Sequence, residues 1–196
     1  MRDLEIRGAG NILGTAQSGH IVAIGFDLYC QLLKQAIAKM KGEKVKPRVE
    51  VQLRLDFIAT NEAEYLMTND ATDDKGQSHS FAPAFLPVSY IEQPQTRIQA
   101  YRKLAEVNSP QQLEQLRKAW RDRFGVPPKA VEHLLLLSEI KLLAAARKIA
   151  KLEVKENKLM LTRGGDFVLI GGRFPRLTEK SPTGQLYELV ALIKSF

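Results

Sequence analysis

The stretch from Pro127 to Ile170, PPKAVEHLLLLSEIKLLAAARKIAKLEVKENKLMLTRGGDFVLI, decides the fold class. Pro127-Pro128 opens a helix whose apolar spacing runs to about Ile149, and Val131, Leu134 to Leu137, Ile140, Leu142 and Leu143 leave little polar surface over two of its turns. A helix apolar on most sides has to be enclosed, which places it at the centre of the core. Two strand-like runs follow, Lys158 to Arg163 and Asp166 to Ile170, joined by Gly164-Gly165, a pair that can take the positive φ of a two-residue hairpin loop. Helices and strands in separate blocks give an α+β class: a small mixed sheet packed by several helices.

Upstream of this block, Ser109 can cap a helix, Pro110 takes its first position and Gln112 completes a capping box. Leu113, Leu116, Trp120 and Phe124 form the buried stripe of that helix, and Gly125 stops it. An earlier helix begins near Gln95, with Ile98, Tyr101 and Leu104 on one face, after Pro83, Pro87 and Pro94 have kept the chain extended. Val49, Val51, Leu53 and Leu55 alternate with polar residues, as a strand with one wet face does. Residues 60–83, holding Asn61, Asn69, Asp70, Asp73, Asp74, Gly76 and Ser78, read as a long flexible acidic loop. Downstream, Thr183 to Lys194 forms a terminal helix with Leu186, Leu189, Val190 and Ile193 turned inward.

At the front, Arg2 to Arg7 alternates like a short strand and runs into Gly8-Ala9-Gly10 and Gly14; Asp27 then caps a helix carrying Leu28, Leu32, Leu33, Ala36, Ile37 and Met40. The polar, basic run Lys41 to Arg48, with Pro47, separates this leading unit, 1–46, from a second domain, 47–196.

Over its 196 residues the chain is 44% hydrophobic and 26% charged, proportions that support a packed core and exclude a disordered or fibrous chain. Its +7 charge is unevenly spread: +3 in residues 1–46, −4 in 47–101 and +8 in 102–196. That permits a polyanion partner, although the Lys and Arg of the last segment alternate with apolar helix positions as solvated faces do, without interleaved aromatics. No apolar run approaches the roughly 18–20 residues of a membrane span, and no secretory leader is read, so a soluble cytoplasmic protein is expected. The single Cys30 excludes a disulfide framework.

The order strand, glycine loop, helix near the start invites a nucleotide site, but Leu13 stands where the fingerprint needs its third small residue and no Lys-Ser or Lys-Thr follows. His20, His79 and His133 are far apart and lack nearby metal-ligating partners. No nucleophile–base pair is recognisable, so no catalytic, cofactor or metal site is assigned. What stands out is Arg7, a rigid five-donor fork, set ten residues before the amide of Gln17 across a glycine loop.

The string from Arg2 to Gly14, followed by Gln17-Ser18-Gly19 and Gly25-Phe26-Asp27-Leu28-Tyr29, resembles the end of the motor in the bacterial transcription-repair coupling factor family, Mfd. There, and in the related branched-DNA helicase RecG, this stretch is the TRG motif, a strand and helical hairpin that converts ATP-driven lobe closure into movement along double-stranded DNA. Arg7 and Gln17 match its translocation residues, and Gly8, Gly10 and Gly14 its loop. Beyond it, Phe85-Leu86-Pro87, Tyr90-Ile91, Arg97, Tyr101, Arg121-Asp122-Arg123-Phe124-Gly125 and Pro127-Pro128 resemble the family's carboxy-terminal domain, with 60–83 as an acidic insertion. The resemblance implies a fragment without ATPase activity, because the lobes that bind ATP and Mg precede it in the family. It also implies that 47–196 docks as an autoinhibitory clamp on a UvrB-like module of the same parent, and that double-stranded DNA, RNA polymerase and UvrA are met through that parent. The alternatives are a stand-alone basic nucleic-acid-binding protein and the end of a RecG-like helicase.

Overall fold

The computed structural model describes residues 51–69 and 81–196. In chain order these form β1 (Gln52–Leu55), β2 (Ile58–Ala59), α1 (Glu62–Asn69), β3 (Ala82–Pro83), α2 (Pro94–Glu106), α3 (Pro110–Phe124), α4 (Lys129–Ala146), β4 (Ile149–Lys155), β5 (Lys158–Arg163), β6 (Asp166–Val168) and α5 (Pro182–Ser195). The class is α+β. One mixed sheet has the order β1-β4-β5-β6, with β1 parallel to β4 and the other pairs antiparallel; β2 and β3 form a second, parallel pair.

Helix α4 divides the interior in two, because its apolar residues encircle it. Leu136, Leu137, Ile140 and Ala144 join the sheet's Leu152, Val154, Leu159 and Leu161 and the inward side of α5, Leu186, Leu189 and Ile193. Val131, Leu134 and Leu135 instead meet Ala100, Tyr101 and Leu104 of α2 and Leu113 and Trp120 of α3. Each leucine buried this way contributes on the order of 1.5–3 kcal/mol, so one helix ties both halves together.

The local signals around α3 act as read. Ser109 Oγ accepts from Gln112 N at 3.3 Å, Gln112 Oε1 reaches back to the N–H of Asn108 at 2.9 Å, and Gly125, at φ 87°, ends the helix. Gly164 and Gly165 take φ of 63° and 96° between β5 and β6. In α5, Leu186, Leu189, Val190 and Ile193 are buried.

Three expectations are corrected. Helix α4 stops at Ala146, not near Ile149, because Lys148 turns left-handed at φ 58° and releases the chain into β4. A register shift between Ile149 and Lys151 puts Ile149 and Leu152, three residues apart, on the same buried side, a spacing that imitates the tail of a helix. The strand read from Val49 to Leu55 is Gln52–Leu55 in the described part, after which Ile58–Ala59 belongs to the second sheet. Part of the acidic stretch 60–83 is ordered as α1 and β3. Asn61 Oδ1 accepts from Glu64 N at 2.8 Å while Glu64 Oε2 accepts from Thr60 N at 2.8 Å, a reciprocal cap, and the Tyr65 ring leans on Phe85 with centroids 6.3 Å apart.

Candidate docking surface

Arg7, Gly8, Gly10, Gly14 and Gln17 lie outside the described residues, as do His20, Cys30, His79 and the boundary at residue 46. His133 is described, and it is a strut. Its Nδ1 is 2.9 Å from the carbonyl of Pro83, which can only accept, so Nδ1 carries the proton and Nε2 accepts from Thr183 Oγ1 at 3.1 Å. Burial holds its pKa below the usual histidine value, and the neutral ring joins α4 to β3 and to the start of α5.

No glycine loop opens a helix among the described residues. The positive-φ glycines Gly125, Gly164, Gly165, Gly171 and Gly172 stand after α3 or in hairpin turns, and α2, α3 and α5 each begin with a proline, which lacks an N–H to offer a phosphate. No group of three His, Cys, Asp or Glu side chains able to hold a metal occurs among the described residues.

The residues that carry the carboxy-terminal resemblance converge on one clasp. The N–H of Leu86 donates to the Tyr101 hydroxyl at 2.8 Å, in the interior. Arg97 Nη1 donates to the carbonyls of Ile91 at 2.7 Å and Glu92 at 3.1 Å. The Tyr90 hydroxyl is shared between the carbonyls of Trp120 at 3.2 Å and Gly125 at 3.3 Å, and its ring meets Phe124 edge-on at 5.7 Å. Desolvation, assisted by Glu132, raises the Tyr90 pKa, so it stays a donor. Segment 86–92 is thereby pinned to α2 through its own backbone and to α3 through the Tyr90 side chain. These side chains shape the domain.

The sheet's second face is different. Leu53, Leu55, Leu152, Val154, Leu159 and Leu161 point to the core, so the alternate residues Gln52, Arg54, Lys151, Glu153, Lys155, Lys158, Met160, Thr162 and Phe167 point away from it. Lys151 pairs with Glu153 at 2.5 Å, and that hydrogen bond is the main reason the Glu153 carboxyl sits below its usual range. Beyond β6, the chain turns at Gly171-Gly172 and returns along β5: Leu159 N donates to Pro175 O at 2.8 Å, and Arg176 bridges to Lys158. Phe174 on this return meets Phe167 edge-on at 5.2 Å, and Lys158 Nζ lies 4.4 Å from the Phe174 ring centre. Sequence reasoning read the Lys and Arg of 102–196 as solvated helix faces without interleaved aromatics and missed this face, because Phe174 reaches it only through a non-local pairing.

Behind the face, Glu188 of α5 fixes the loop before its own helix by accepting from Thr178 N, Thr178 Oγ1 and Glu179 N. Burial alone raises the Glu188 pKa, and these three hydrogen bonds together bring it below the usual value.

Residues 81–166 match the TRCF domain family. The transcription-repair-coupling factor of Myxococcus xanthus is 33% identical over 179 residues, covering 91% of this chain and 13% of that protein. Those of Staphylococcus haemolyticus and Bacillus subtilis are 38% and 32% identical over 146 and 165 residues, 72% and 83% of this chain but 10% and 12% of theirs. The chain thus spans about a tenth of the length of these relatives. A crystal structure described as the C-terminal domain of transcription-repair coupling factor aligns over 76% of this chain and 97% of its own, at 19% identity and a TM-score of 0.48. No helix among the described residues is long and apolar enough to cross a membrane.

Proposed function

We propose, on the premise that this chain belongs to the transcription-repair-coupling-factor family and carries its TRCF domain, that residues 47–196 act by docking rather than by chemistry. They pack against the UvrB-like module of the same parent, cover the surface that recruits UvrA, and restrain an ATP-driven motor until RNA polymerase is engaged. Residues 1–46 couple closure of the motor lobes to movement along double-stranded DNA, with Arg7 and Gln17 as coupling residues and Gly8, Gly10 and Gly14 as the turns between them. ATP and Mg are held by the lobes, and the whole acts in the cytoplasm.

The match of residues 81–166 to the TRCF domain carries this reading. A described interior given over to packing, a neutral structural histidine and backbone clasps supports it, since a clamp needs shape and rigidity and no reactive group. Docking within one chain also suits a modest surface, because a tethered partner is met at an effective concentration of about millimolar. The test compares a full-length factor bearing this sequence at its carboxy terminus with the same protein truncated after Lys46. Truncation is expected to raise UvrA capture and polymerase-independent ATP turnover. Equal values for both proteins would remove the clamp.

A further inference from the structure

The open face of the sheet carries a feature that docking as a rigid clamp does not require. Phe167 is 59% exposed although it packs against Phe174 with the two rings nearly perpendicular, so much of an aromatic ring anchored on one side is open to solvent. Around it the cations are poorly balanced. Lys155 lies directly opposite Lys158 in the β4–β5 ladder, and Arg176 bridges to Lys158 from the other side. Like charges opposed across a ladder repel, and the sheet meets that cost where an anion lies over them. Of the nearby acids, Glu153 is bound to Lys151 and shared with Arg54 and Lys155, and Asp56 accepts the N–H of Glu156 at 2.7 Å.

We propose that this face, formed by β4, β5, β6 and the return segment through Arg176, binds single-stranded nucleic acid, with a base stacked on Phe167 and phosphates over Lys155, Lys158 and Arg176. Each nucleotide brings an anion and a plane together, the two things the face offers partners for. An acidic protein would satisfy the cations but would need a separate apolar group matched to Phe167. A duplex keeps its bases stacked on one another and presents no free plane to the ring, which selects the single strand.

The test uses the intact 196-residue chain and fluorescence anisotropy with labelled oligo(dT) and oligo(rU) of about 15 nucleotides, beside a duplex of equal length. Both single strands are expected to bind more tightly than the duplex, and their ratio separates DNA from RNA as the preferred source. Three phosphate contacts on a single strand give a log–log salt slope of about −2, so raising salt from about 50 to about 200 mM should weaken binding about 20-fold. Phe167→Ala should weaken it about 5- to 150-fold at unchanged melting temperature, because the ring is largely exposed, while Phe167→Trp should retain it. Lys155→Glu with Lys158→Glu should flatten the salt slope. The proposal is overturned if neither single strand binds at low salt, if Phe167→Ala binds as wild type, or if polyglutamate of equal charge competes as well as oligo(dT). The last result would identify an acid-docking surface. Because the readout is direct binding, it is independent of whether truncation releases the parent motor.

Discussion

Replacing Tyr101 by Phe isolates one atom of the clasp. The ring stays, so no cavity is created, but the N–H of Leu86 loses its acceptor at 2.8 Å. Both residues are buried, Leu86 at 4% and Tyr101 at 6% exposure, so water does not replace the hydroxyl at little cost. An orphaned interior donor costs about 1–3 kcal/mol. For a domain of about 150 residues each kcal/mol moves the melting temperature by about 2–4 °C, so Tyr101→Phe should melt about 2–12 °C lower. Tyr90→Phe supplies the contrast. Its hydroxyl makes two longer bonds, one part-buried to the Trp120 carbonyl of α3 and one exposed to Gly125, and its loss should cost about 0.5–1 kcal/mol. Thermal unfolding followed by near-ultraviolet circular dichroism compares the two. If Tyr101→Phe melts within about one degree of wild type, or if Tyr90→Phe is the more damaging change, segment 86–92 is not held in the way described.

Acidification should weaken the fold through His133: its folded pKa lies below the ordinary 6.5, so below that pH the unfolded chain binds the extra proton and stability falls as pH falls through the folded value. Urea midpoints at pH 7.5 and 5.5 should converge in a His133→Gln variant; an unchanged difference would remove His133 as the cause. Leu152→Ala, at a fully buried position between the sheet and α4, should cost about 2–5 kcal/mol, and a loss below about 1 kcal/mol by urea titration would contradict its central place. In a full-length factor, Arg7→Ala or Gln17→Ala should leave nucleotide binding intact while lowering the ratio of DNA displacement to ATP consumed. Variants that melt normally and keep the wild-type ratio would refute the coupling role.

Elements whose start and stop are set by adjacent residues were legible from the sequence. Ser109, Pro110, Gln112 and Gly125 define α3 without any distant contact, and Gly164-Gly165 does the same for the β5–β6 turn. Strand β4 was hidden because its bulge removes the alternation that marks a strand, leaving Ile149 and Leu152 at helical spacing. Helix α1 was missed for two reasons. Asn61 was counted as loop polarity when it caps the backbone of Glu64, whose carboxylate in turn caps Thr60, and the anchor of Tyr65 is Phe85, twenty residues on. Of the candidate sites, Arg7 and Gln17 stand on the family resemblance alone, since no local chemistry distinguishes a coupling arginine from a bracing one. The open face could not be read in advance: Phe167 and Phe174 meet only because Pro175 and Arg176 pair with the start of β5.

The docking function is tested most directly by adding the chain back in trans. A full-length factor truncated after Lys46 is mixed with rising amounts of the 196-residue protein, and ATP turnover without polymerase is read. Docking predicts that turnover falls along a saturating curve, with a midpoint well above that of the tethered contact because the effective concentration of about millimolar has been given up. Turnover that stays flat across the whole titration, with the added chain folded, would contradict it.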